Sequence, residues 1–107
     1  MNRLLPKYPT HPGTLIKDEL VEMGNTTQKD LAGYLDVTPS YLSEVINGKR
    51  GINASLAIGL EEVFGISAEY WLRFQAQYDL DILRIFRINK SSTKKSGRFF
   101  RKEELTI

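Results

Sequence analysis

The chain has 107 residues, enough for one domain with a single hydrophobic core. Its 41% hydrophobic fraction is typical of a globular protein, and the lack of cysteine excludes disulfides and thiolate metal sites. No apolar run approaches a membrane span, and proline interrupts the N-terminus before any apolar signal segment, so we expect a cytoplasmic protein without a membrane partner. A single histidine without a carboxylate cluster predicts no metal, no cofactor, no catalytic residue and no enzyme activity.

The net charge of +2 conceals two regions of opposite sign. Residues 1–83 contain 7 Lys or Arg against 11 Asp or Glu, whereas residues 84–107 contain 8 Lys or Arg against 2 Glu. A charge run is usually a solvated face, but a split this clean indicates two separate roles for the body and the tail.

Residues 1–11 are predicted to form an extended arm, because Pro6 and Pro9 exclude a regular helix. The first helix is predicted to run from about Pro12 to Met23 and to end at Gly24. Its apolar face consists of Ile16, Leu20 and Met23. Apolar residues of the arm are expected to pack on the body or on a second subunit: Leu4, Leu5 and Tyr8.

Between Thr27 and Gly48 the sequence predicts two short helices joined by a tight turn. Thr27 is the expected N-cap of the first helix, and Asp30 completes a capping box. Thr38 is the expected cap of the second helix, with Pro39 at its first position and Gly48 as a left-handed stop. The inward residues are apolar: Leu31, Ala32, Leu35, Leu42, Val45 and Ile46, with Val37 in the turn.

This arrangement resembles the helix-turn-helix of phage-repressor type DNA-binding proteins. The resemblance rests on Gln28, Ala32, Val37, Leu42, Val45 and the run Asn47-Gly48-Lys49. A plain helical hairpin, the alternative, would not need capping, turn and stop signals together at this spacing.

An α-helix fits the major groove of DNA, where its N-terminal residues meet base edges. The outward side chains of the second helix are therefore predicted to contact DNA: Thr38, Pro39, Ser40, Tyr41, Ser43 and Glu44. Glu44 can accept a hydrogen bond from a cytosine amino group but repels a phosphate. Phosphate contacts are predicted at a helix N-terminus and after the second helix: Gln28, Asn47, Lys49 and Arg50. Thr38 caps its helix with or without DNA, and the alternative for Ser43 and Glu44 is simple solvation.

A fourth helix is predicted from about Ala54 to Phe64, with Asn53 as its cap and Gly65 as its stop. Ser67 is the expected cap of a fifth helix of about twenty residues. Its apolar stripe contains Trp71, Phe74, Tyr78, Ile82 and Ile85. This stripe is longer than a small five-helix domain can cover, so its later part is predicted to form a homodimer.

The predicted fold class is therefore an all-α, five-helix helix-turn-helix domain with a long fifth helix and a flexible basic tail. The predicted division is an arm at 1–11, the DNA-binding domain at 12–88 and the tail at 89–107. Beyond Asn89 we expect loop or disorder, with residues 98–101 adding a strand to a partner or stacking on bases.

A closer resemblance, covering roughly residues 11–82, is to the HigA-type (VapI-like) antitoxins. It rests on His11-Pro12-Gly13, on VTPSYLSEVINGKRGI, and on FGISAEYWLRFQAQYDL at residues 64–80. The resemblance implies a cytoplasmic dimer that binds a palindromic operator, represses its own operon and neutralises a toxin that is an mRNA-cleaving ribonuclease. It also implies DNA contacts at Thr38 and Glu44, although position 44 is often basic in relatives.

A negative body is unusual for a DNA-binding protein, because phosphate neutralisation dominates affinity for DNA. Because the implied toxin is itself basic and would be repelled by the basic tail, the tail is predicted to neutralise phosphates as a DNA arm, with binding of a protein partner as the alternative.

Two other functions are consistent with the sequence. One is a stand-alone helix-turn-helix transcriptional regulator without a toxin. The other is a protein-interaction module without DNA binding, which the acidic body and Glu44 slightly favour.

Overall fold

Side-chain caps and glycines set the helix ends in the computed structural model, which describes residues 5–94. These residues form five α-helices and no strand, in agreement with the predicted fold class. The helices are α1 (Gly13–Met23), α2 (Gln28–Leu35), α3 (Pro39–Ile46), α4 (Ala54–Phe64) and α5 (Ala68–Lys94). Leu4 of the predicted arm and the predicted partner-binding run at 98–101 lie outside the described residues.

The predicted N-caps are confirmed by their hydrogen bonds. The Thr27 hydroxyl accepts from the Asp30 N–H at 3.0 Å, and the Asp30 carboxylate accepts from the Thr27 N–H at 3.1 Å, which closes the capping box. Asn53 and Ser67 accept from the N–H three residues further on, at 2.9 and 3.1 Å. These bonds satisfy N–H groups that a helix cannot pair internally.

The core lies between the helix-turn-helix pair and the two later helices. The fully buried side chains include Ile16, Leu31, Leu42, Val45, Leu60 and Trp71. Val37 packs against this core from the turn between α2 and α3, and the preceding Asp36 adopts the left-handed conformation (φ 58°). Val37 thus anchors the turn to the core, and the buried Leu42 and Val45 anchor the inner face of α3.

Gly13, at the start of α1, lies against the carbonyl groups at the end of α3. A Cβ at this position would be 2.7 Å from the carbonyl oxygen of Ile46 and closer still to that of Val45. Only glycine permits this backbone approach, so the first residue of α1 is fitted to the last turn of α3.

Two expectations for the helices are wrong. Met23, predicted to face inward, is 43% exposed, because the end of α1 projects past the core. On α5, Gln75 and Asp81 are buried, whereas Ile82 is 42% exposed, in the later part of the stripe that the domain is not expected to cover. The loop or disorder expected beyond Asn89 does not begin there, since α5 continues through residues 90–94 without a glycine or proline to end it.

Candidate nucleic-acid interface

The N-terminal end of α3 presents a capped, polar surface. Thr38 precedes the helix in an extended conformation, and its hydroxyl accepts from the Tyr41 N–H at 3.0 Å. Pro39 occupies the first helical position, where its missing N–H leaves no hydrogen bond unmade. Thr38, Pro39 and Ser40 are all exposed. The predicted base-reading end of α3 is therefore accessible and pre-ordered.

The C-terminal end of α3 is closed by a glycine motif. Gly48 adopts the predicted left-handed conformation (φ 77°), and its N–H donates to Val45 O at 3.1 Å. The Lys49 N–H donates to Glu44 O at 2.8 Å, which completes a Schellman motif. The side-chain amide of Asn47 donates to Ser43 O at 2.9 Å. Asn47 and Lys49 stay exposed, and Ser43 is half-buried.

Glu44 and Arg50 form an ion pair across the outer face of α3. Arg50 Nη2 lies 2.8 Å from Glu44 Oε1, and Arg50 Nε donates to the same oxygen at 2.9 Å. The guanidinium carbon lies 4.8 Å from the centre of the Tyr41 ring, a cation–π distance. From the sequence, Glu44 is expected to repel a phosphate, whereas in the fold its charge is compensated by Arg50.

Gln28 begins α2 and is exposed, as a phosphate contact requires. Two residues later, the hydrogen bond from the Thr27 N–H holds the pKa of Asp30 below its usual range. Asp30 is therefore ionised at neutral pH beside the predicted phosphate site. Its charge opposes an anion there, while the positive end of α2 favours one.

Gln75 of α5 touches the loop that follows α3, and it is not among the residues that the sequence predicts to be functional. Its Oε1 accepts from the Ile52 N–H at 2.8 Å, and its Nε2 donates to Asp79 Oδ1 at 2.9 Å. The sequence indicates this contact only through the position of Gln75 in the helical repeat of α5. Gln75 is four residues after Trp71, so it is a polar residue on the inward face of an otherwise apolar stripe.

Within residues 5–94, no group of three or more His, Asp or Glu side chains is placed to hold a metal ion. None of the helices in this part of the chain combines the length and apolar character that crossing a membrane requires.

Residues 16–71 match the helix-turn-helix family. The virulence-associated protein A' of Dichelobacter nodosus is 53% identical over 76 residues, which cover 69% of this chain. The chain spans 64% of the length of that relative.

Two solved structures have a similar fold. A HigA-family addiction-module antidote protein from Coxiella burnetii has a TM-score of 0.71 and 28% identity, covering 84% of this chain and 98% of its own. The Pseudomonas aeruginosa antitoxin HigA, solved with the higBA promoter, has a TM-score of 0.66 and 27% identity. The match covers 85% of this chain and 97% of the HigA chain. The match to the helix-turn-helix family agrees with the capped, glycine-closed α3. Together with the similar proteins above, it shows that the chain belongs to the HigA-type (VapI-like) family of helix-turn-helix DNA-binding proteins.

Proposed function

We propose that this protein is an antitoxin that binds operator DNA through α3, represses its own operon and neutralises an mRNA-cleaving toxin in the cytoplasm. The observation that carries the proposal is the exposed, capped N-terminus of α3 in a chain similar to a HigA antitoxin solved with promoter DNA. As a member of a DNA-binding family, the protein is not an enzyme.

The ten predicted DNA contacts divide into two groups by their chemistry. Six residues of α3 and its cap are proposed to meet base edges: Thr38, Pro39 and Ser40, which are exposed, and Tyr41, Ser43 and Glu44, which are half-buried. Side chains at the start of α2 and after α3 are proposed to meet phosphates: Gln28, Asn47, Lys49 and Arg50. The second group fixes the register on the duplex, and the first group selects the sequence.

A homodimer is the proposed DNA-binding form, because helix-turn-helix proteins of this kind read two half-sites about one helical turn apart. The second half of α5 supplies an apolar surface for such contact. Its exposed apolar residues are Leu80, Ile82, Leu83, Phe86 and Ile88. An exposed apolar surface of this extent is uncommon on a monomer.

The proposed toxin surface lies on α1, α2 and α4. A groove of about 340 Å³ is lined by Met23, Thr26, Asp30, Leu31, Tyr34, Glu62 and Val63. The exposed Met23 and Tyr34 offer apolar contacts, while Asp30 and Glu62 give the rim a negative charge. A basic ribonuclease is complementary to this acidic surface and is repelled by the basic C-terminal tail.

The proposal is tested by measuring affinity for DNA from upstream of the gene against a random duplex of equal length. We expect a preference for the upstream DNA of on the order of 10³-fold or more, as for other specific DNA-binding proteins. Equal affinity for the two duplexes contradicts operator binding and favours the protein-interaction alternative. Co-expression with the adjacent reading frame, followed by affinity purification, separates an antitoxin from a stand-alone regulator, since only an antitoxin co-purifies with a ribonuclease.

A further inference from the structure

The loop between α3 and α4, residues 47–53, carries two cations proposed to bind phosphates, Lys49 and Arg50. Both cations are exposed. The loop also contains Gly48 and Gly51, which leave its backbone with more conformational freedom than other residues would. The Schellman bonds of Gly48 and Lys49 and the pairing of Arg50 with Glu44 hold the first part of the loop to α3, so the part around Gly51 and Ile52 depends on contacts from elsewhere in the fold.

Gln75 on α5 holds the end of the loop that leads into α4. The Ile52 N–H is buried and donates to Gln75 Oε1 at 2.8 Å. Gln75 Cδ is 3.3 Å from the position of a Cβ on Gly51, so the amide also fills the space beside that glycine. Asp79 accepts from Gln75 Nε2 at 2.9 Å and so orients the amide with its oxygen towards the loop.

A second contact holds the near end of the loop. The Cγ atom of His11 is 3.5 Å from the position of a Cβ on Gly48. The imidazole also meets the Tyr78 ring edge-on, with 4.8 Å between ring centres. Residues 75–79 of α5 therefore reach both ends of the loop, directly at Ile52 and through His11 at Gly48.

We propose that Gln75 is a positioning residue for DNA binding, which fixes the loop so that Lys49 and Arg50 are already ordered for phosphate contact. This inference rests on the proposed DNA-binding function. Ordering a loop during binding costs conformational entropy and so weakens binding. A loop that is already ordered avoids this cost and binds more tightly. Through Gln75, DNA affinity then depends on residues 75–79 of α5, which are not among the ten proposed base or phosphate contacts.

Gln75→Leu removes both hydrogen bonds of the amide and keeps a side chain of similar volume. Gln77→Leu is the matched control, because Gln77 donates to Asp81 at 3.0 Å in the same four-residue spacing but is exposed. We expect Gln75→Leu to weaken binding to operator and random duplex alike by about tenfold. A loss of this size corresponds to the conformational entropy cost of ordering about one backbone residue on binding. Gln77→Leu should leave both affinities unchanged.

A double-mutant cycle separates positioning from general destabilisation. Lys49→Gln with Arg50→Gln provides a background without the two cations of the loop. Gln75→Leu should have no further effect on DNA affinity in that background, because the groups it positions are absent. A further tenfold loss there would overturn the proposal, as would an unchanged affinity of Gln75→Leu in the native background.

The combination Gln75→Glu with Asp79→Asn keeps the proposal testable if Gln75→Leu does not fold. It reverses the hydrogen bond between the two side chains but retains an acceptor for the Ile52 N–H. At pH 7.5 it should bind DNA as the unmutated protein does, and its Ile52 amide should exchange hydrogen as slowly as that of the unmutated protein. Folded protein with slow exchange of the Ile52 amide but tenfold weaker DNA binding would overturn the proposal. Failure of the unmutated protein to bind any duplex would instead contradict the proposed function.

Discussion

Arg50 donates to Glu44 from two of its nitrogens, at 2.9 and 2.8 Å, and both bonds end on the same carboxylate oxygen, Oε1. Both side chains are about half exposed, 50% for Arg50 and 43% for Glu44, so the pair adds about 1 kcal/mol or less to stability. Its main consequence is for DNA, because Arg50 lowers the repulsion between Glu44 and phosphates.

Glu44→Gln should release Arg50 for phosphate binding and remove one negative charge from the interface. Affinity for random duplex should rise, and the dependence of log K on log salt should steepen by about 0.9 for each additional phosphate that the protein neutralises. Salt-titrated binding to operator and random duplex measures both quantities. Glu62→Gln is the control, because it removes one negative charge from α4 instead of α3 and should leave the slope unchanged. An unchanged slope together with an unchanged affinity for random duplex would place Glu44 and Arg50 outside the DNA interface.

Ser40→Ala tests base reading at the N-terminal end of α3. The Ser40 side chain is exposed, so its loss should not affect the fold. If its hydroxyl bonds a base, affinity for the operator should fall by about 1–3 kcal/mol while affinity for random duplex is retained. The control is Ser55→Ala, an exposed serine in the first turn of α4. A parallel loss for both duplexes would indicate a phosphate contact instead.

Gly13→Ala should destabilise the protein by about 1–3 kcal/mol, because the new methyl group would overlap backbone carbonyls at the end of α3. Gly33→Ala is a matched control in α2, where no neighbouring atom lies within 4 Å of the new Cβ. That change should stabilise the protein by about 0.5–1 kcal/mol, since alanine favours a helix interior. Urea denaturation of the two variants measures the difference. Equal stability would show that α1 can shift away from α3 without cost.

His11 is expected to make stability depend on pH. Its Nδ1 accepts from the Gly13 N–H at 2.9 Å, and burial lowers the pKa of the imidazole below its ordinary 6.5, an effect that the Asp79 carboxylate partly opposes. The unfolded chain therefore binds the proton more readily than the folded protein. The contribution of neutral His11 is fully present above pH 6.5 and is lost as pH falls through the folded pKa.

His11→Asn should remove this pH dependence. The asparagine oxygen can accept from the Gly13 N–H in place of Nδ1 but does not titrate. His11 is the only histidine of the chain, so the free energy of unfolding between pH 5 and 7 compares the two proteins cleanly. An equal loss of stability in both proteins on acidification would assign the effect to carboxylates rather than to His11.

Leu83→Glu with Phe86→Glu tests the homodimer. The two residues are three apart on one face of α5 and are 45% and 58% exposed, so the fold should tolerate both changes. Sedimentation should show a dimer of the unmutated protein at concentrations on the order of tens of micromolar, and a monomer of the variant. Val21→Glu, at a 73% exposed residue of α1, should remain dimeric. A monomeric unmutated protein would exclude this interface.

Helix ends were predictable from the sequence, because capping is local. The caps Thr27, Thr38, Asn53 and Ser67 bond N–H groups only three residues away, so residue type and spacing suffice. Gly48 ends α3 for an equally local reason, since its left-handed conformation depends on its own missing Cβ. The fold class followed from these signals and the apolar periodicity.

The tertiary structure alone decided which surfaces meet. Periodicity placed Met23 on an inward face, but burial requires a neighbouring helix, and Met23 lies where none covers it. The bond from Ile52 to Gln75 joins residues 23 positions apart, and the pairing of Arg50 with Glu44 depends on how the loop folds back over α3. These contacts connect segments whose separation in sequence carries no periodic signal, so they become visible only once the helices are packed.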